Sequence, residues 1–483
     1  MTHPPIPPIA IVSIGALFPG APTTAAFWRD LVDGRDRISE VPRTHWLAAD
    51  YFDPTPGTPD KVYTTRGGFL PAVELSPLEL GLPPTSLPAI DTAQLLALIV
   101  AKRVLTEATR GRYEAMDRSR IAVLLGVASA TELVAHMSGR NQIPVVDAAM
   151  RAAGIAPADA ARVRAQLEAC YVPWQEGTFP GMLGNVVAGR VANRFDLGGT
   201  NAVVDAACAG SLAAVHLAVQ ELALGRADLV ISGGVDALND ILMFMCFAQT
   251  GALSRSGDCR PFSQDADGTL LGEGVGLFAL RRLADAERDG DAIYGVVRAV
   301  GTSSDGRATS IYAPHAPGQM LALERAYAQA ELSPATIGLV EAHGTGTVAG
   351  DATELAALRA VYERAGARPK QAALGSVKSQ IGHTKAAAGA AGLAKATLAL
   401  HHKVLPPTLK IGAPLPALAD PAAPFYPSLT TRPWVHGGPT PRRAAVSALG
   451  FGGTNFHVVV EEYRGPAPRP PRPRAAPTEL VVL

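Results

Sequence analysis

The sequence predicts an α/β protein with a duplicated core, and three observations lead to this prediction. Short apolar segments rich in Val and Ile alternate with longer segments in which apolar residues recur at helical spacing. The alternation runs through two successive series, with a join near residues 255–273. At 483 residues the chain is long enough for one large core or two joined cores. Because helices separate the strands, we expect largely buried sheets.

The first series opens on an apolar strand and ends on a strand that closes in a Gly-Gly turn. Its predicted segments are a strand within 7–20, a helix over 93–108, a strand over 120–129, an Ala-rich helix over 143–170, a buried strand ending at Val204, a helix after Cys208 and a strand over 227–238. The helical segments show apolar residues at three- and four-residue spacing, whereas the strands are short and rich in β-branched residues.

The second series has the same alternation. Its predicted segments are strands over 274–283 and 292–306, a helix near 317–330, a strand within 337–347, a strand and loop over 372–384, a helix over 385–402 and strands within 442–463. Two such series in one chain indicate a pseudo-duplicated arrangement.

Composition and charge exclude several classes of function. The 43 basic and 43 acidic residues cancel and form no basic stripe, so nucleic-acid binding has no electrostatic support. The longest apolar stretches are too short to span a bilayer, and the first residues lack a signal-peptide pattern. The four cysteines show neither disulfide nor metal-ligand spacing. We therefore expect a soluble cytoplasmic protein without a metal site.

The last twenty residues, 464–483, differ from the rest of the chain. They read "RGPAPRPPRPRAAPTELVVL", which contains six prolines and four arginines. Such a segment cannot bury a core and is typical of a linker. Its final "TELVVL" resembles a strand without a partner, so we expect a following domain, and we expect Arg469, Arg472 and Arg474 to meet surface acids.

Cys208 lies in "VVDAACAGSL", where a strand ends and an apolar helix begins. A cysteine in such a place is either a small buried hydrophobe or a nucleophile. The N-terminus of a helix favours a thiolate, and its free N–H groups can stabilise an oxyanion on a carbonyl joined to that sulfur.

Two histidines and a glycine cluster follow strands of the second series. His343 lies in "EAHGTGT", and His383 lies in "SVKSQIGHT", five residues after Lys378. Gly450 opens the loop "GFGGTN" between two strands, where a backbone can approach a ligand closely. Each motif alone also has a structural explanation: a satisfied polar histidine, or glycines that make tight turns. The clusters "GTGTVAG" and "GEGVG" lack the strand–GxGxxG–helix context of a dinucleotide site.

Taken together, these motifs favour acyl transfer. Two histidines on separate loops could converge on Cys208 as hydrogen-bond donors. A cysteine with two histidines and no acid in triad order is not a protease pattern. It suits acylation of the thiol followed by stabilisation of an enolate.

The motifs "VDAACAGS", "EAHGTGTVAGD", "SVKSQIGHT" and "GFGGTN" resemble the β-ketoacyl synthase (ketosynthase) family of the thiolase superfamily. The resemblance covers about residues 8–463 and implies a five-layer αβαβα fold. "SIYAPHAPGQ" and "TRPW" are most similar to the first ketosynthase of bacterial polyunsaturated fatty acid synthases. Ordinary modular polyketide ketosynthases usually read "DTACSSS" at the nucleophile, and this chain does not.

The resemblance implies a decarboxylative Claisen condensation that extends an acyl chain on Cys208 by two carbons from malonyl-acyl carrier protein. His343 and His383 would hold the malonyl carbonyl. The N–H groups of Cys208 and Phe451 would form the oxyanion hole.

The resemblance also implies supporting roles. Thr345 and Thr347 would bind the phosphopantetheine arm of the carrier, and the chain itself would bind no cofactor directly. Lys378 and Glu354 would form a buried pair that orders the histidine loops, with Asp351 as a further support. Leu449 stands where many relatives carry Phe, which affects the gate of the acyl channel.

The expected organisation is an N-terminal half over 8–262 with the nucleophile, a C-terminal half over 263–463 with the histidines, and a linker over 464–483 to an adjacent acyltransferase. The resemblance also implies a homodimer that pairs through "GTNAVVDAA". Alternatives are a ketosynthase of another iterative polyketide synthase and a non-catalytic partner of the chain-length-factor kind. A degradative thiolase needs a second cysteine near the C-terminal glycine loop, and none follows Cys259. Related initiating synthases use His and Asn, but position 383 is His.

Overall fold

The computed structural model describes residues 6–128 and 131–471. Its strands are, in chain order, β1 Ile9–Leu17, β2 Ser39–Glu40, β3 Arg66–Gly67, β4 Ile121–Val127, β5 Asn201–Val204, β6 Leu229–Asp236, β7 Gly274–Arg282, β8 Gly295–Ser304, β9 Leu339–Glu341, β10 Ala372–Gly375, β11 Val404–Leu405, β12 Phe425–Pro427, β13 Arg432–Pro433, β14 Arg443–Gly450 and β15 Thr454–Glu461.

The helices lie between these strands. They are α1 Thr24–Asp33, α2 Ala48–Tyr51, α3 Thr92–Thr109, α4 Glu132–Asn141, α5 Ile143–Ala152, α6 Pro157–Ala169, α7 Thr178–Met182, α8 Val186–Phe195, α9 Gly210–Ala223, α10 Ile241–Gln249, α11 Leu283–Arg288, α12 Ala316–Ala330, α13 Val348–Arg364, α14 Lys378–Ile381, α15 Ala388–His402 and α16 Pro416–Ala419. None of the described helices is long and apolar enough to cross a membrane.

The main sheet repeats one topology twice. Its order is β12-β10-β9-β14-β15-β8-β1-β7-β6-β4-β5. In the first half β4 is parallel to β5 and β6, and β7 is antiparallel to β6 and β1. In the second half β9 is parallel to β10 and β14, and β15 is antiparallel to β14 and β8. Apart from β12 at one end, both halves therefore have the strand order third-second-fourth-fifth-first, which is the predicted duplication.

A short contact joins the two halves. Only Ile9, Ala10 and Ile11 of β1 pair with β8. The pairing of β7 with β6 and β1 places β7 in the first half, whereas its sequence position suggested the second series. The domain division between residues 262 and 263 remains a prediction.

Helices cover both faces of each half-sheet, which gives the five αβαβα layers. α3 and α8 pack with β1 and β4 in one outer core, while α12 and α13 pack with β9, β10 and β14 in the other. Between the half-sheets lie α9 and α15. Small residues allow this central layer to pack closely: a Cβ added at Gly389 of α15 would lie 2.5 Å from Leu212 Cγ of α9.

Two further predictions differ from the structure. The single helix predicted over 143–170 is two helices, α5 and α6, because Gly154 between them takes a left-handed φ of 74°. The strand that ends at Val204 was expected to be buried. It is the partly exposed edge strand β5, because only β4 pairs with it within the described residues.

The described part of the tail, residues 464–471, lies against the first half. Tyr463 Oη accepts from the Ala467 N–H at 2.8 Å, and Pro468 O accepts from the Ile293 N–H at 3.0 Å. Pro470 is buried. No ion pair of Arg469 is present among the described residues, and Arg472, Arg474 and "TELVVL" lie outside them.

Candidate active site

Cys208 lies in a tight turn between β5 and α9, as the sequence predicts. A single 3-10 turn, Ala207–Ala209, joins the two elements, and α9 begins at Gly210. Ala207 has a φ of 47°, which is a strained conformation for a residue with a side chain. The Cys208 side chain is buried, with 7% of the residue exposed.

Glycines let neighbouring backbones approach this turn. A Cβ at Gly126 of β4 would lie 2.3 Å from the carbonyl carbon of Gly210, and one at Gly450 would lie 2.4 Å from Ala206 O. The loop after Gly450 continues with left-handed φ values of 91° and 78° at Gly452 and Gly453. Larger side chains at these positions would push β4 and the glycine loop away from the nucleophile turn.

A pocket of about 280 Å³ contains most of the predicted site residues. It is lined by Cys208, His343, Thr345, Thr347, Asp351, Glu354, His383, Leu449 and Phe451. The structure therefore brings together residues from distant parts of the chain, as the sequence predicts. Lys378 is buried as well, but it does not line the pocket.

The two histidines face each other in the pocket. Their ring centroids are 5.2 Å apart and the ring planes meet at 82°. Nδ1 of His383 accepts a hydrogen bond from the Lys385 backbone N–H at 3.1 Å. A neutral imidazole carries one proton, so that proton lies on Nε2 of His383. Nδ1 of His343 has no hydrogen-bond partner among the described residues.

Both imidazoles are neutral at physiological pH. Burial, together with the charge of Lys378, holds the pKa of His343 and His383 well below the usual range. A neutral imidazole can donate a hydrogen bond to a developing oxyanion without losing its proton to solvent. The pair is therefore suited to stabilising negative charge on a carbonyl oxygen.

The pKa of Cys208 differs from the expectation. The position before a helix was expected to favour the thiolate, but burial raises the thiol pKa to about 11. The charge of Lys378 and a backbone hydrogen bond from Phe451 lower it only in part. The desolvation cost of a buried thiolate outweighs these contributions, so the resting nucleophile is a thiol.

Lys378 and Glu354 hold the His343 loop from two sides instead of pairing directly. Lys378 Nζ donates a short hydrogen bond to the His343 carbonyl oxygen. The Glu354 carboxylate accepts from the backbone N–H groups of His343 and Gly344, at 2.7 and 2.8 Å. The predicted ion pair is thus replaced by two separate contacts to one loop. Both fix the position of the imidazole.

Asp351 fixes the next part of the same loop. Its carboxylate accepts from the N–H groups of Gly346 and Phe262 at 3.1 and 2.7 Å, and burial raises its pKa to about 7. The hydroxyls of Thr345 and Thr347 lie 2.9 Å apart on the pocket wall. Two hydroxyls at a pocket wall can bind the amide groups of an extended substrate arm.

Aromatic rings surround the mouth of the pocket. Phe451 is 47% exposed, and its ring stacks on Phe247 with centroids 6.3 Å apart. The centroid of the Tyr312 ring also lies 6.3 Å from that of Phe451. Sequence reasoning missed Phe247 and Tyr312 as pocket residues. Phe247 lies outside every quoted motif, and Tyr312 lies in "SIYAPHAPGQ", which was used only as a sign of resemblance.

A buried network behind His383 was also missed. Lys385 Nζ pairs with Asp236 at 3.0 Å and donates to Asn239 at 2.7 Å. Asp236 is the last residue of the buried strand β6, so a charged residue in this apolar context is the signal that could have indicated the network. Within residues 6–128 and 131–471, no three His, Cys, Asp or Glu side chains are grouped as metal ligands.

Two family models of β-ketoacyl synthases match the sequence of this chain. The model for the β-ketoacyl synthase N-terminal domain matches residues 7–286, and that for the C-terminal domain matches residues 294–412. One of the polyunsaturated fatty acid synthase subunits of Thraustochytrium sp. is 39% identical over 460 residues, which are 94% of this chain and 16% of that protein. Polyketide synthase GfsB of Streptomyces halstedii is 38% identical over 94% of this chain and 8% of that protein.

Solved structures of ketosynthases have the same fold as this chain. The PfaC ketosynthase–chain length factor structure has a TM-score of 0.84 and 32% identity, over 95% of this chain and 48% of that one. The chain spans less than a fifth of the length of the two curated relatives. The two family models together cover most of the chain and include Cys208, His343 and His383. The chain therefore belongs to the β-ketoacyl synthase family of acyl-transferring enzymes.

Proposed function

We propose that the chain catalyses the decarboxylative condensation of a polyunsaturated fatty acid synthase-like multidomain enzyme. It extends an acyl chain on Cys208 by two carbons from malonyl-acyl carrier protein. One observation carries the proposal: a buried thiol and two neutral imidazoles line the same pocket. The 39% identity to part of a polyunsaturated fatty acid synthase supports the class of synthase.

Acylation of Cys208 is the first step. The Cys208 sulfur attacks the carbonyl carbon of an acyl thioester, the bond from that carbon to the pantetheine sulfur breaks, and the thiol proton passes to the departing sulfur. The charge of Lys378 and the Phe451 N–H favour the thiolate during attack. Burial of the site protects the resulting thioester from water.

Decarboxylation of the malonyl group follows. The bond from the α-carbon to the carboxylate breaks, CO₂ leaves, and the electron pair forms an enolate on the thioester. His383 Nε2–H and the His343 imidazole donate to the enolate oxygen. Neutral donors fixed before the reaction need no reorganisation, and each such donor is worth about a hundredfold or more in rate.

The new carbon–carbon bond forms in the third step. The enolate carbon attacks the carbonyl of the acyl-Cys208 thioester. The oxyanion of the tetrahedral intermediate accepts from the backbone N–H groups of Cys208 and Phe451. Collapse of the intermediate breaks the carbon–sulfur bond, and the Cys208 thiolate leaves and takes up a proton.

The phosphopantetheine arm of a carrier protein delivers both substrates. Thr345 and Thr347 bind that arm, and their positions on the pocket wall support this role. The chain itself holds no cofactor for the reaction. An acyl carrier protein and an adjacent acyltransferase are the expected partners, and the length of the multidomain relatives is consistent with both. The proposed compartment is the cytoplasm.

A homodimer is a further part of the proposal. β5 lies at the end of the main sheet and is only partly buried, so its outer edge can pair with a second copy. Sedimentation at micromolar concentration is expected to give twice the 50.1 kDa of the chain. A mass of one chain would contradict this part.

The second candidate is condensation in another iterative polyketide synthase, which the 38% identity to a polyketide synthase favours. A non-catalytic partner of the chain-length-factor kind normally replaces the cysteine, whereas this chain has Cys208 and both histidines. Mass spectrometry after incubation with an acyl thioester tests the main proposal. We expect one acyl group on Cys208 and then a product longer by two carbons when a malonyl carrier is added. An unmodified Cys208 would contradict it.

A further inference from the structure

An aromatic groove of about 270 Å³ lies where α1, α3, the end of α15 and the residue before β8 meet, and it shares no lining residue with the catalytic pocket. The Trp28 ring stacks on His402, with centroids 4.6 Å apart and planes at 12°. The Tyr294 hydroxyl forms another part of the wall and donates to Glu107 at 2.7 Å. None of these side chains has a role in the proposed condensation.

The proline-rich tail of the chain reaches this groove. The Ile293 N–H donates a hydrogen bond to the Pro468 carbonyl oxygen at 3.0 Å. Ile293 directly precedes Tyr294 of the groove wall. Pro470 is buried, and Pro471 is itself one of the lining residues. The described residues therefore end at the groove, where Pro471 forms part of the wall.

Aromatic grooves recognise proline-rich segments for a physical reason. Proline rings pack on flat aromatic surfaces, and a proline segment is already extended, so its binding costs little conformational entropy. The residues that follow Pro471 are "RPRAAP", which contain two more prolines and two arginines. The groove wall also contains one carboxylate, that of Glu107, and one guanidinium, that of Arg103, so it has no excess of either charge. The shape and the aromatic wall of the groove, rather than its charge, therefore match this segment.

We infer that the groove binds residues 472–477 of the same chain as a strap. Fully extended, six such residues span about 19 Å at about 3.1 Å each. The groove lies beside β1 and β8, which join the two half-sheets, so a bound strap would fix where the next part of the polypeptide leaves the body. This inference is independent of the condensation chemistry.

Trypsin digestion of the complete 483-residue chain tests the inference. Arg469 and Arg472 both precede proline, and trypsin does not cleave such bonds efficiently, so Arg474–Ala475 is the cleavable bond of the strap. Cleavage under native conditions follows the population of the undocked segment. We expect this bond to be cut at least about tenfold more slowly in the native chain than in urea-unfolded chain, after correction for trypsin activity.

The Ala25→Arg variant removes the docking site without touching the core. Ala25 is an exposed residue of α1 that lines the groove, so the long cationic side chain fills the groove and repels the arginines of the strap. Ala161→Arg, at an exposed position of α6 outside the groove, is the matched control. Thermal melting monitored by circular dichroism verifies that both variants fold.

Three results would overturn the inference. The first is fast cleavage at Arg474 in the native chain, which would mean that the segment is undocked. The second is equal protection in Ala25→Arg and Ala161→Arg, which would place the contact elsewhere. The third is protection that disappears on dilution, which would assign the groove to a second copy. Protection that is independent of concentration and lost only in Ala25→Arg supports the strap.

Discussion

The backbone N–H of Lys385 donates to Nδ1 of His383 at 3.1 Å, and this contact fixes which ring nitrogen carries the proton. The Lys385 side chain is held in turn by Asp236 and Asn239. The turn that follows His383 therefore sets its tautomer, and Nε2–H is available to the substrate.

His383→Ala should reduce malonyl decarboxylation by at least about a hundredfold, because it removes one fixed donor to the enolate oxygen. His343→Ala should have an effect of similar size. Self-acylation of Cys208 should survive in at least one of the two variants. His436→Ala is a suitable control because His436 lies outside the pocket. Measurement of CO₂ release provides the test, and full activity of both variants would remove the histidines from the site.

Cys208→Ala should abolish acyl loading and condensation but retain decarboxylation, because the enolate donors do not depend on the thiol. Mass spectrometry measures loading, and CO₂ release measures decarboxylation. Cys259→Ala is a matched control, since Cys259 is buried nearby but lies outside the pocket lining. Elongation of an acyl primer by Cys208→Ala would contradict the assignment of the nucleophile.

The raised pKa of Cys208 gives a prediction for its reactivity. With a pKa of about 11, the thiolate fraction rises about tenfold for each pH unit between about 7 and 9. Alkylation of Cys208 by iodoacetamide should therefore accelerate by that factor without a plateau. Lys378→Met removes a charge that lowers the thiol pKa, so alkylation should become slower. A plateau below about pH 8 in the parent chain would contradict the raised pKa.

Much of the site could be predicted because short motifs combine a local structure with a chemistry. A strand–cysteine–helix sequence indicated the turn at Cys208, and glycines indicated close backbone approach at Gly450. The sequence placed His343 and His383 on separate loops at strand ends, so their convergence could be expected without coordinates. The structure differs for His383, because the short helix α14 lies between β10 and this histidine. The family and the fold class predicted from these motifs are confirmed by the comparisons.

What could not be predicted depends on contacts distant in sequence. β7 pairs with β1, which lies at the other end of the first half of the chain, and no periodic pattern reports such pairing. The exposure of β5 depends on its place at the end of the sheet. The pKa of Cys208 depends on how much protein surrounds it, whereas the sequence indicates only that a helix begins there. The same limit applies to Lys378, whose partner is a carbonyl rather than Glu354.

Acid should destabilise the fold through buried histidines. Burial lowers the pKa of His457 to about 3, and its ring lies between Ser447 and Tyr327 at 2.9 and 3.0 Å. In the unfolded chain the same ring protonates below about pH 6.5, so the unfolded state binds more protons and stability decreases as the pH falls. At about pH 5 this costs about 2 kcal/mol for His457 alone, and His343 and His383 act in the same direction.

Urea unfolding at about pH 7 and about pH 5 measures this effect. His457→Gln should be less stable than the parent at neutral pH, because its hydrogen bonds are altered in a buried site. Its further loss on acidification should be smaller than that of the parent by about 2 kcal/mol. Equal losses in the two proteins would show that His457 is not neutral in the folded state at the lower pH.

Removal of residues 464–483 should separate stability from catalysis. The deletion removes the bond between Ile293 and Pro468 and the burial of Pro470, so the free energy of unfolding in urea should fall by about 1–2 kcal/mol. Self-acylation and decarboxylation should stay within about twofold of the parent, because every pocket residue precedes Tyr463 and the tail contact at Ile293 lies outside the pocket. A folded, truncated chain that no longer acylates Cys208 would make the tail part of the catalytic unit and move its boundary beyond Tyr463.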